Sequence, residues 1–293
     1  MSASSSSTIE AAPARTPSAV EPPTGVAADR VAAPAAAGSP ISVRGVSHVF
    51  RRGSLVTHAL DRVDLEIEAG EFVAVLGPSG CGKSTLLKIL AGLLDHTTGE
   101  IEISGKPVTG PQTGLGIVFQ SPVLLDWRTI LDNVLVQIEL RGLDRRRYLD
   151  PALDLLRKVG IEEFKDRLPR ELSGGMRQRA AIVRSLIHDP PLLMMDEPFG
   201  ALDALTREQM RIDLEKLWLE RRHTTVFITH GISEAVALAD RVVVMTPRPG
   251  RIDHIIEIDL PRPRDKAVIT SSRFAAHCDE ITESFMRHGV IRY

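Results

Sequence analysis

Residues 72–85 read Phe72-Val73-Ala74-Val75-Leu76-Gly77-Pro78-Ser79-Gly80-Cys81-Gly82-Lys83-Ser84-Thr85. The first five form an unbroken apolar run, which suits a strand buried on both faces of a helix-covered parallel sheet. The next eight, Gly77 to Ser84, fit G-x-x-x-x-G-K-[ST], and Thr85 follows. Glycines are needed in such a loop because its N–H groups must turn inward and approach phosphates with no Cβ in the way. A helix expected over 84–90 starts at the loop, so its dipole and unpaired N–H groups face an anion. Lys83 can then reach β- and γ-phosphates, and the Ser84 hydroxyl can ligate Mg²⁺. A glycine-rich turn could match by chance, but the strand before and the helix after are the context the motif requires. Cys81 reads as a small filler of the loop, the alternative being a thiol activated by the helix start.

Three further runs resemble the first: 192–195, 225–229 and 241–245. Helical periodicity separates them, as in Met176, Ala180, Val183 and Ile187, and that face ends before Pro190. The alternation through 41–50 and at Val63, Leu65 and Ile67 predicts half-buried strands. Between about 121 and 185 the pattern turns helical, with Leu131, Val134, Leu135 and Ile138 on one face. This predicts an α/β core over 41–260 with an inserted helical subdomain, and an extension over 261–293 ending in a helix near 274–286. Residues 1–40 are rich in Ser, Ala and Pro and lack an apolar signal core, so they read as a disordered tail.

Composition narrows the function. The 293 residues carry 36 basic and 38 acidic side chains, so there is no basic excess for phosphate-backbone binding and no nucleic-acid partner is expected. Arg145-Arg146-Arg147 reads as a solvated helix end. Cys81 and Cys278 are too far apart for a metal motif, and two thiols fit a reducing compartment. No stretch approaches the ~20 apolar residues that span a bilayer, so membrane association would need a partner.

A second acidic feature completes the phosphate loop. The apolar strand at 192–195 ends in Asp196-Glu197, at the carboxyl edge where ligands of open α/β sheets bind. Asp196 there can hold Mg²⁺ and Glu197 can polarise a water in line with the γ-phosphate. Loop and acids together predict a nucleoside triphosphatase. Leu172-Ser173-Gly174-Gly175-Met176 then supplies a second anion-binding helix start, capped by Ser173. One chain already has a phosphate loop. The economical target of the second start is the γ-phosphate held by another copy.

These residues resemble the ABC (ATP-binding cassette) ATPase family over roughly 41–259, and its remaining motifs occur in order. Gln120 matches the Q-loop glutamine that contacts Mg²⁺ and joins core to helical subdomain. Ala201-Leu202-Asp203 matches the D-loop of the dimer interface. His230 matches the switch histidine on the γ-phosphate, and Phe50 stands where the family has an aromatic on adenine, more often Tyr. The resemblance implies an ATPase with ATP and Mg²⁺ as cofactors and an α/β fold: a P-loop core with a mainly parallel sheet, an antiparallel β subdomain and an inserted helical subdomain. It assigns Gly77, Pro78, Ser79, Gly80, Cys81, Gly82, Lys83, Ser84, Thr85, Gln120, Ser173, Gly174 and Gly175 to ATP, and Ser84, Gln120 and Asp196 to the metal. Glu197, His230 and Lys83 are the implied catalytic residues. Two positions depart from the common pattern, Met176 for Gln and Gly231 for an acidic or polar residue; neither is a phosphate or metal ligand.

The segments LSGGMRQRAAIVRSL (172–186), LDWRT (125–129) and MTPRPGRI (245–252) are similar to the branch importing nitrate, sulfonates, taurine and related solutes, although Asp126 replaces the usual Pro. That likeness implies a homodimer on the cytoplasmic face of a membrane, bound to permease subunits and served by a solute-binding protein. Trp127 is then either a residue of the permease groove or a packed aromatic. A non-transport ABC ATPase, such as a soluble assembly factor, is the main rival, and an exporter is a further one. The cargo is not legible.

Overall fold

The computed structural model of the protein describes residues 38–291. Most of the tail expected over 1–40 therefore lies outside the described residues.

In chain order the elements begin with β1 (Ile41–Arg52), β2 (Leu55–Ile67), β3 (Phe72–Leu76) and α1 (Lys83–Leu90). Next come β4 (Thr98–Ile103), β5 (Lys106–Pro107), β6 (Gly116–Val118), α2 (Ile130–Leu140), α3 (Leu149–Lys158) and α4 (Gly174–Leu186). The chain continues through β7 (Leu192–Asp196), α5 (Ala204–Arg221), β8 (Thr224–Thr229), α6 (Ile232–Leu238) and β9 (Arg241–Met245). It closes with β10 (Ile252–Glu257), α7 (Lys266–Ile269) and α8 (Ser272–Arg287).

The main sheet runs β10-β9-β3-β8-β7-β6, parallel throughout except where β10 pairs with β9. A second, antiparallel sheet runs β2-β1-β4-β5. The α/β class with a mainly parallel sheet and an antiparallel companion is the one the motifs implied.

The unbroken apolar runs have a direct physical reason. Strand side chains alternate between faces, and here both faces are covered. Phe72, Ala74 and Leu76 enter one core, with Phe227, Val242 and Val244 of the neighbouring strands and the large helices. Val73 and Val75 enter the other, with Val226, Ile228, Val243, α1 and the antiparallel sheet. A polar residue in either register would be stranded in one of the two cores, at a cost of about 1–3 kcal/mol.

The helical segment between β6 and β7 packs α2 against α4 and α3. Thr129 caps α2 by accepting the Asp132 N–H at 3.1 Å. Asn133, fully buried, accepts the Leu125 N–H at 2.7 Å and donates to the carbonyls of Leu125, Arg128 and Thr129. One buried amide thus fixes the turn that carries Trp127. Trp127 itself is 76% exposed, which removes the packed-aromatic reading.

The stretch after Pro261 is built into the core. Ile281 and Phe285 of α8 join the large cluster, and Arg264 is 1% exposed. Its guanidinium donates to the carbonyls of Val236 and Ala239 at 2.7 and 2.6 Å, while its N–H is accepted by Glu215. Burial, with Arg262 adding to it, pulls the Arg264 pKa down to about 10. Arg262 lies over the buried Trp218 ring at 4.4 Å, which in turn meets Phe72 edge-on.

Candidate nucleotide site

Loop 77–82 leaves β3 at the carboxyl edge of the sheet and runs straight into α1. Gly80 and Gly82 have φ of 75° and 111°, conformations that L side chains rarely adopt. Space is as restrictive as angle at Gly82, where a Cβ would sit 2.7 Å from Leu60 and 2.8 Å from the Ala59 carbonyl. No side chain caps α1, so its first N–H groups are left for a ligand.

The side chains of this loop divide into two sets. Ser79, Gly80, Gly82, Lys83, Ser84 and Thr85 line a cleft of about 340 Å³, with Phe50, Glu197 and Arg248 on its walls. Gly77, Pro78 and Cys81 lie beneath it. The carbonyls of Gly77 and Pro78 accept the Lys83 ammonium at 2.8 and 3.2 Å. Cys81 is 1% exposed and burial pushes its thiol up, which bears out the filler reading and leaves no activated nucleophile.

Acidic groups enter from β7. The Ser84 hydroxyl donates to Asp196 at 2.9 Å. Burial, aided by the neighbouring Glu197 charge, raises the Asp196 carboxyl despite that hydrogen bond. A half-buried carboxylate beside a hydroxyl and a second carboxylate is an oxygen donor set suited to a hard divalent cation. Glu197 adopts a left-handed φ of 45°, uncommon for a non-glycine residue, and its N–H is tied to the Ile228 carbonyl at 2.9 Å. That backbone aims its carboxylate between Lys83, at 4.0 Å, and the His230 ring, at 3.4 Å. Gln120 comes alongside: a Cβ on Gly200 would lie 3.7 Å from both the Gln120 amide nitrogen and the Glu197 carboxylate.

Phe50 reaches the cleft because of an irregularity in β1. Ile41 and Val43 are buried, then Val46 and His48, so the inward register slips by one residue around Gly45, which has a φ of 58°. Without that bulge Phe50 would face the opposite side of the sheet. It is 44% exposed and packed edge-on against His48 at 4.4 Å.

The structure gathers Lys83, Ser84, Asp196, Glu197, His230, Gln120 and Phe50 around one opening. Ser173, Gly174 and Gly175 do not line it. Ser173 caps α4 by accepting the Met176 N–H at 3.3 Å, and both Ser173 and Gly174 are exposed. A Cβ on Gly174 would meet nothing within 4 Å, whereas one on Gly175 would strike Thr206, just past the Asp203 cap of α5. At its far end α4 holds the segment after Gln120, with Arg184 donating to the Pro122 and Val123 carbonyls at 2.8 and 2.7 Å. Glycine at 231 leaves room for Glu234, which accepts from Thr229 at 2.6 Å and faces Arg207 of α5 at 3.4 Å.

Sequence reasoning assigned no role to Arg248. The MTPRPGRI segment marked it, but its place on the cleft follows from the pairing of β9 with β3. A second opening, a mainly apolar groove of about 490 Å³, lies between α2, α4 and the 112–123 segment. Leu140 and Val123 on its rim are 78% and 59% exposed, and Trp127 is not among its lining residues. No helix among the described residues is long and apolar enough to cross a membrane.

Comparison with known proteins identifies the family. Residues 60–200 match the ABC transporter family. The chain is 40% identical over 253 residues to the aliphatic sulfonates import ATP-binding protein SsuB of Bacillus cereus, covering 86% of this chain and 98% of that protein. It is 49% identical over 205 residues to the taurine import ATP-binding protein TauB of Rhizobium johnstonii, covering 70% and 78%. Among solved structures, a dimeric ATP-binding cassette in a post-hydrolysis state with ADP and Pi superposes with a TM-score of 0.66 at 32% identity, over 74% of this chain and 98% of that one. The chain belongs to the ABC transporter family, among its ATP-binding proteins.

Proposed function

We propose that this ATPase is the motor subunit of an importer for a small anionic or zwitterionic solute such as a sulfonate, taurine or nitrate. The observation that carries the reading is the split between two anion-binding helix starts. One is surrounded by Lys83, Ser84, Asp196, Glu197 and His230, and the other has Ser173 and Gly174 exposed, with space open beside Gly174 among the described residues. A second copy in head-to-tail orientation completes both.

In this reading ATP lies in the cleft with adenine on Phe50 and its phosphates against the N–H groups of residues 79–85. Lys83 exchanges its two loop carbonyls for β- and γ-phosphate oxygens. Ser84, Asp196 and Gln120 would hold Mg²⁺, which when bound neutralises phosphate charge. Glu197 orients the attacking water, and His230 contacts the γ-phosphate and fixes the Glu197 carboxylate. The Ser173 hydroxyl accepts the cap N–H and still has its own proton to donate, so a γ-phosphate on a second copy can take it. Only ATP bridges both copies, so it is the ligand that shifts the population to the closed dimer.

The apolar groove suits a permease helix on the cytoplasmic face, and a solute-binding protein would serve the far side. Burial and the Arg141 charge push His188 at the groove down to about 4, so its ring is neutral at physiological pH and suited to an apolar partner. Arg184 links this groove, through α4, to Ser173, which gives ATP closure a rigid path to the membrane subunit. Relatives named for sulfonate and taurine import support the direction and the solute class. Affinity purification from detergent-solubilised membranes tests the reading: recovery with an integral membrane protein is expected, and recovery with soluble scaffold proteins alone contradicts it.

A further inference from the structure

The turn after β9 carries two arginines in different circumstances. It is tightly fixed: the Gly250 N–H donates to the Ala59 carbonyl at 3.0 Å, and the Gly250 carbonyl accepts the Asp61 N–H at 3.0 Å. A Cβ on Gly250 would lie 2.0 Å from the Cys81 carbonyl, so glycine is required for the turn to lie against the phosphate loop. Thr246 closes it, accepting the Arg251 N–H on its hydroxyl at 3.1 Å. Arg251 is neutralised by Asp61. Arg248 has no carboxylate within salt-bridge distance among the described residues. Its Nε donates to the Gly80 carbonyl at 3.1 Å, and its side chain forms part of the cleft wall opposite no acid but Glu197.

A guanidinium without a carboxylate partner among the described residues, held by this turn over a phosphate loop, is suited to bind the oxygens of a polyphosphate with its remaining N–H groups. We infer that Arg248 is a second cationic contact to the phosphate chain of the nucleotide, approaching from the Gly80 side while Lys83 approaches from the floor. This rests on the cleft being the nucleotide site, as proposed above. The two cations divide the work. Lys83 is 5% exposed and shared with catalysis, whereas Arg248 is exposed and contributes to binding in ground and transition states alike.

The test is calorimetric titration of MgATP and MgADP into the full chain and its Arg248→Ala, Arg248→Gln, Arg248→Lys and Lys83→Ala variants, with melting of each nucleotide-free protein. Loss of one charge-assisted contact predicts about tenfold or more weaker binding of both nucleotides by R248A and R248Q, with partial recovery in R248K. KM should rise more than kcat falls, and nucleotide-free melting should not move. Wild-type affinity in R248A while K83A has lost binding would overturn the Arg248 contact alone. Wild-type affinity in both would remove the nucleotide-site reading beneath it. Weak binding together with lowered nucleotide-free melting, unrecovered by R248K, would assign the arginine to holding Gly80 in place and overturn the inference.

Discussion

Glycine precedes the first turn of α1 and opens that of α4, and both turns offer backbone N–H groups, yet they stand in opposite conditions. The α1 start is uncapped by any side chain and enclosed by a buried lysine, two carboxylates and an imidazole. The α4 start is capped by its own serine and faces solvent. The difference teaches where chemistry and control are separated. In the proposed reading the α1 start binds and activates the nucleotide, and the α4 start is a contact that works only against a second copy.

The comparison breaks most visibly at Lys83. Replacement by Ala removes the buried ammonium from the floor of the cleft and leaves the loop carbonyls facing the phosphates, so ATP turnover should fall by about a hundredfold or more, read by phosphate release. Near-normal activity would mean the α1 start is no more a site than the α4 start. Glu197→Gln keeps the cleft's shape and removes the activating carboxylate. It should slow hydrolysis roughly a hundredfold while leaving ATP affinity intact. The α4 side should respond differently. Ser173→Ala should lower turnover by about tenfold or more while ATP binding to a single chain is unchanged, since that helix start does not line the cleft.

Smaller effects sharpen the contrast through stability. The Asp196 carboxyl is raised, so its ionised form is disfavoured in the fold and weakens the nucleotide-free protein above its pKa. Asp196→Asn should therefore raise nucleotide-free melting by about 2–4 °C per kcal/mol relieved, while abolishing Mg-dependent turnover. The carboxylate that clasps α8 behaves in the opposite sense. Partial burial alone would raise Asp253, but hydrogen bonds from His288, Ser284 and His254 outweigh it and hold the carboxyl at about 2. That contribution is complete above the unfolded value of ~3.9 and is lost as pH falls toward 2. Asp253→Asn should cost about 1 kcal/mol at neutral pH and flatten the acid limb of a melting profile between roughly pH 4 and 2.

Much of this was legible in the chain because each feature is local. The buried strands announce themselves as apolar runs, and the loop at 77–85 and the acids at 196–197 sit where a strand must end. Ser173 was readable as a helix cap from its own neighbours. What escaped depends on distant segments meeting. Phe50 was assigned to the site by resemblance, but the one-residue slip at Gly45 that turns it toward the cleft is not forecast by plain alternation. Glu197 is aimed by a left-handed backbone held from β8. Arg248 joins the site only because β9 pairs beside β3. The burial of Arg264 was equally invisible, since its partners on α5 and α6 are far away in sequence and Arg is rarely a core residue.

The central claim is that two copies share each ATP. Light scattering on a size-exclusion column measures it with the Glu197→Gln variant, which is expected to hold ATP without hydrolysing it, and with the same variant carrying Ser173→Ala. The account predicts a doubling of mass with MgATP in the first and a monomer in the second. A Glu197→Gln protein that stays monomeric when saturated with ATP, or a dimer indifferent to Ser173, would contradict it.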